Sequence, residues 1–140
     1  MQTGIKYTPN DKLWSLVVRT RDGWTCSFCG KDFSNDHIGL DAAHIHVTKR
    51  GKWSSRHDPL AGIALCKRDH KIYDGRAYKD TEKSRNEQIR METWIEWYLG
   101  QEKWEKIMLL KNRVTPGVRS ASSQALINLH LHRELAKLTK

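Results

Sequence analysis

All three cysteines and five of the seven histidines of this 140-residue chain fall between Cys26 and His70. Their spacing is that of metal chemistry. Cys26-x-x-Cys29 lets two thiolates converge across a tight turn, with Gly30 relieving the backbone crowding. Cys66 and His70, four apart, share one face if both are helical. Three cysteines cannot all pair, and a redox C-x-x-C calls for a surrounding βαβ pattern that this sequence lacks, so ligation is the preferred reading. Two arrangements satisfy it. In the first, Cys26, Cys29, Cys66 and His70 form a single Cys3His structural zinc site. In the second, the cysteines hold zinc with Asp69 or another group as fourth ligand, and His70 turns to a second, catalytic ion beside the strand that bears His44.

The elements that must carry these residues read as strand, loop, strand, helix. Leu40 to Val47 is a β-prone run in which Asp41, Ala43 and Ile45 face one way and Ala42, His44 and His46 the other. Lys49 to Asp58 is a basic loop, offering Lys49, Arg50, Lys52 and Arg56 to phosphates and Trp53 for stacking or packing. Leu60 to Leu65 is the second apolar run, followed by the helix of Cys66 and His70. His37 reads as a solvated loop residue. Upstream, a helix capped by Thr8 or Asn10 presents Leu13, Trp14, Leu16 and Val17 and ends at Asp22-Gly23. Downstream, Thr81 to Leu99 is a helix stopped by Gly100, and Gln101 to Lys111 is a second one. The Trp and Met residues of both read as core. A linker over 112–123 leads to a last helix, Ser123 to Leu138, with Ile127, Leu131, Leu135 and Leu138 at helical spacing. The expected fold is α+β, with the metal-bearing region in residues 1–80 and a helical extension in 81–140.

A formal charge of +9 and a pI near 9.6 call for a polyanionic partner, nucleic acid first. Between His44 and Lys79, nine Lys or Arg stand against three Asp, so the positive charge gathers beside the candidate site; Lys67, Arg68 and Lys71 on the short helix belong to it. The sequence contains no 18-residue apolar run and no signal-peptide pattern, which points away from the membrane and to the cytoplasm of a bacterial, or phage-infected, cell.

The order C-x-x-C, A-H-I at a strand end, a basic loop, then D-P-x-x-x-x-x-L-C-x-x-x-H-K resembles the HNH, or ββα-metal, endonucleases, and more narrowly the phage recombination endonucleases of the Rap/NinG type. The resemblance covers roughly residues 23–111. It implies a zinc-stapled ββα-metal core that hydrolyses phosphodiester bonds in DNA, branched DNA being the substrate expected of that type. His44 matches the general base and His70 the helix-borne ligand of a divalent ion, Mg2+ or Mn2+. Cys26, Cys29 and Cys66 match structural zinc ligands. The sequence departs from the family pattern at three positions. Ala43 stands where a ligand Asp or His is usual, which shifts that role to Asp41 or His46. Ala61 replaces the middle Asn, leaving His57 or Asp58 to pin the loop. Asp69 replaces the fourth zinc cysteine. The reading from another class is a zinc-stabilised nucleic-acid-binding or assembly protein that does not cleave. The C-terminal helix is a candidate homodimer interface.

Overall fold

The computed structural model describes residues 8–45, 56–75, 81–112 and 120–139. Thr8 starts α1 (Pro9–Arg21): its hydroxyl accepts from the Asp11 N–H while the Asp11 carboxylate accepts the Thr8 N–H, a reciprocal cap with Pro9 at the first helical position. The chain leaves α1 through Gly23 and Trp24, both at positive φ. For Trp24 that conformation is unusual, and it is held by the Trp24 N–H to Arg19 carbonyl bond at 2.9 Å and by stacking of its ring on His37.

Two short strands, β1 (Leu40–His44) and β2 (Gly62–Cys66), pair antiparallel, with Leu40 opposite Cys66 and His44 opposite Gly62. The second strand begins later than the apolar run suggested, because Pro59–Ala61 forms a single 3-10 turn capped by the Asp58 side chain. The first ends at His44, and Ile45 follows as a bend whose N–H donates to the Ala61 carbonyl; residues 46 and 47, which the expected strand included, lie outside the described residues. A lone hairpin is marginal in water, and here the outer edge of β2 is closed by other groups. The Ala64 N–H donates to Asp22, the Ala64 carbonyl accepts from Ser27, and the Gly62 carbonyl accepts from Arg21.

Each face of the hairpin is covered. On one side lies α1, whose Trp14 and Val18 approach so closely that a β-carbon on Gly62 would sit 2.6 Å and 2.7 Å from them. On the other, Ala43, Ile45, Ile63 and Leu65 pack with Tyr73 of α2 (Lys67–Tyr73), Met91 and Ile95 of α3 (Glu82–Leu99), and Ile107 of α4 (Gln101–Lys111). Gly100, at φ +84°, makes the turn between α3 and α4. The last helix, α5 (Ala121–Leu138), returns to α1, where Leu131 is buried against Leu13, Trp14, Val17 and Val18. Among the described residues the architecture is α+β, five α-helices around one two-stranded sheet. Helices beyond residue 81 share their core with the N-terminal part.

One expectation is corrected. Trp97 of α3, expected in the core, is 75% exposed. Met91 and Ile95 set the inward stripe, and Trp97, two positions past Ile95, points about 200° round the helix from it. Among the described residues, no helix is long and apolar enough to cross a membrane.

Candidate metal centre and adjoining cavity

The Cys26 and Cys29 knuckle is a tight turn closed by the Gly30 N–H to Cys26 carbonyl bond (2.9 Å), with the Cys29 N–H directed at the Cys26 sulfur (3.5 Å). Gly30 takes the positive φ of +79° that the turn requires. Cys66 is not part of the helix that follows it; it is the N-cap of α2, in extended conformation. An N-cap side chain meets the residue three positions on, as in any capping box, and here that residue is Asp69. The fourth member of the cluster is therefore Asp69 and not His70. The ligand atoms of Cys26, Cys29, Cys66 and Asp69 all lie within 4.8 Å of one another. Asp69 Oδ2 is 3.3 Å from the Cys26 sulfur and 3.2 Å from that of Cys66. Tetrahedral zinc holds S and O donors about 3.5–3.8 Å apart, so this cluster could hold an ion such as zinc with small adjustments. Burial pushes the Cys26 and Cys66 thiols up, Cys66 to about 12, so without metal both keep their protons and an incoming cation must displace them.

His70 faces the opposite way. Its Nδ1–H donates to Asp41 Oδ2 at 2.9 Å and its Nε2–H to Asp74 Oδ2 at 3.1 Å. Two donating nitrogens make the ring an imidazolium. Burial pulls its pKa down, but the two carboxylates outweigh that and raise it to about 9. Burial pushes Asp41 up, while His70 and Lys67, which sits 2.7 Å from its other oxygen, hold it down at about 2. His44, at the end of β1, is fixed from two directions. Its ring stacks on Trp14 at 4.0 Å and within 6° of parallel, and its Nε2 is 2.9 Å from the Arg56 carbonyl. A carbonyl only accepts, so Nε2 carries a proton, and in the neutral form of the ring Nδ1 is the basic nitrogen. Asp41, His44 and His70 line one cavity of about 410 Å³, together with Asp11, Trp14, Arg19 and His37.

No family model, curated protein or solved structure matches the chain.

The cations separate into three groups. Arg56 is corrected outright. It is 1% exposed and its guanidinium is bound by both oxygens of Asp11, so it faces the interior and is not available to a phosphate. On α2, Lys67, Arg68 and Lys71 are exposed; Lys67 pairs with Asp41, and Arg68 lies 3.5 Å from Asp69. His46, Lys49, Arg50 and Lys52 lie outside the described residues. Ala61 is fully buried, and the loop is pinned by Asp58, whose carboxylate accepts from the Leu60 N–H and whose carbonyl accepts from Trp14 Nε1. His37 is not merely solvated: its ring stacks on Trp24 at 3.6 Å and its carbonyl accepts from Arg19. Sequence reasoning passed over Asp11, Trp14 and Asp74. Asp74 had a usable signal, standing four residues after His70 on the same helix face; the other two act across long sequence separations.

Proposed function

We propose that β1, β2 and α2 form a ββα-metal unit of the HNH kind and that the chain is a metal-dependent DNA endonuclease. The observation that carries this reading is the shared cavity, in which a strand-end imidazole, His44, and a helix-borne imidazole, His70, accompany the Asp41 carboxylate. In this role His44 Nδ1 takes the proton from the attacking water. Asp41 and His70 would hold a divalent ion, Mg2+ or Mn2+, which supplies charge stabilisation to the leaving oxygen. The Cys26, Cys29, Cys66 and Asp69 cluster anchors the base of α2, and so sets the position of His70, the next residue. Arg68 and Lys71, exposed on α2, suit phosphate contact, and branched DNA is the proposed substrate.

A second reading is favoured by one feature: Asp41 and His70 are bonded to each other, satisfying both without an ion. On it the protein is a zinc-stabilised DNA-binding or assembly protein that does not cleave. Nicking of supercoiled plasmid and of a four-way junction, with Mg2+ or Mn2+, separates the two. His44→Ala is expected to cut at least about 10²-fold more slowly than wild type while still binding DNA. Wild-type protein that binds both DNAs and cleaves neither with either metal establishes the second reading instead.

A further inference from the structure

The carbonyl that holds His44 belongs to a residue clamped from another element. Arg56 accepts the His44 Nε2–H through its main chain, while its side chain is tied to α1: Nε donates to Asp11 Oδ1 at 2.9 Å and Nη2 to Asp11 Oδ2. The next residue, His57, donates to the same carboxylate at 2.9 Å. Three positions along α1, Trp14 stacks on the His44 ring and binds the carbonyl of Asp58. A single turn of α1 thus grips three consecutive loop residues and the imidazole. Stacking sets the plane of the ring, and the Arg56 carbonyl sets its rotation within that plane.

We propose that the Asp11–Arg56 pair is a positioning device for His44, holding the Arg56 carbonyl where it keeps Nε2 protonated and turns Nδ1 to the cavity. The inference rests on His44 being the base of the reaction proposed above. The chemistry of the pair suits the task. A guanidinium fork bound by both oxygens of a carboxylate fixes orientation as well as distance, which a single ammonium cannot do. The carboxylate is itself anchored, accepting the Thr8 N–H at 2.7 Å and the Thr8 hydroxyl at 3.0 Å. Burial raises the Asp11 pKa, but the bonds from His57, Arg56 and Thr8 outweigh it and keep the group ionised well below the usual carboxylate range. Released from this grip, the loop carbonyl no longer selects one orientation of the ring.

The test reads the proton itself. In the zinc-loaded full chain, imidazole-region 1H–15N spectra are compared for wild type, Arg56→Gln and Asp11→Asn, alongside near-UV circular dichroism and zinc content. The expected result is a His44 Nε2–H protected from solvent exchange in wild type and lost to exchange in either variant that keeps its fold and zinc. With it, kcat for plasmid nicking falls about tenfold to a hundredfold while KM is unchanged. Arg56→Gln leaves the cap of α1 intact, so it carries the test if Asp11→Asn does not fold. Protection of the Nε2–H that persists unchanged in a folded variant overturns the proposal. If wild type cleaves no DNA yet the variants release the proton, the clamp stands and the endonuclease reading is what fails.

Discussion

Two clusters flank the short helix α2, and they handle charge in opposite ways. At the Cys26, Cys29, Cys66 and Asp69 cluster, donors of one kind converge, three of the four residues buried, and with Arg68 largely in solvent nothing inside the cluster balances them once the thiols ionise. At the cavity, Asp41, Asp74, Lys67 and His70 already neutralise one another. Once its thiols ionise, the first arrangement calls for a cation; the second is satisfied without one. On the proposed endonuclease reading, that difference would suit an anchor and a working site, with one ion staying and the other entering with substrate. The contrast also explains why adjacent residues, Asp69 and His70, turn to different sites. Asp69 folds back on an N-cap thiol, and His70 lies on the face of α2 toward β1.

Removing metal from the anchor should have the largest effect. One zinc per chain is expected by mass spectrometry, and Cys66→Ser or a strong chelator should abolish cooperative unfolding, since structural zinc contributes on the order of 10 kcal/mol to folding. A cooperative transition unchanged after zinc removal would erase the distinction between the two clusters. Next comes the buried triad behind the cavity. Asp11→Ala leaves Arg56 and His57 without their carboxylate and should cost about 3–5 kcal/mol in urea unfolding. Because the folded pKa of Asp11 is depressed, this difference should be full above its unfolded value of about 3.9 and be lost progressively as pH falls from there toward the depressed folded value.

At the cavity the predicted effect is on a titration. His70 should titrate near 9 by NMR in zinc-loaded protein without added divalent ion, and Asp41→Asn should move it toward the ordinary value. A raised folded pKa means this interaction stabilises the protein fully below about 6.5 and is lost as pH rises through about 9. Mn2+ at Asp41 and His70 must displace that proton, so its affinity, read by calorimetry, should rise over the same interval; affinity that does not change with pH removes His70 as a ligand. The smallest effect is expected at α3. Trp97→Ala, at an exposed position, should shift stability by less than about 0.5 kcal/mol, and a larger loss would mean that this aromatic is covered in solution.

Much of this organisation could be read along the chain, because it depends on near neighbours. A cap at Thr8 or Asn10, the break at Gly100, the knuckle with its Gly30 and the two strands all follow from spacing and from what Gly, Pro and Thr do to a backbone. The candidate ligands were likewise visible as residue types. What the sequence left open was the choice between Asp69 and His70 as fourth member of the cluster, and that turned on whether Cys66 belonged to the helix or capped it. Arg56 is the sharper case. Its composition and its neighbours read as a surface cation, and only the packing of α1 against the loop brings Asp11 to it from 45 residues away. Charge placed by sequence separation of that size is decided by the tertiary fold, since a carboxylate that desolvates with its partner has no local signature. Local sequence therefore determined the elements and the inventory of chemical groups. Which groups face metal, solvent or each other was decided when α1 and α2 closed on either side of the hairpin.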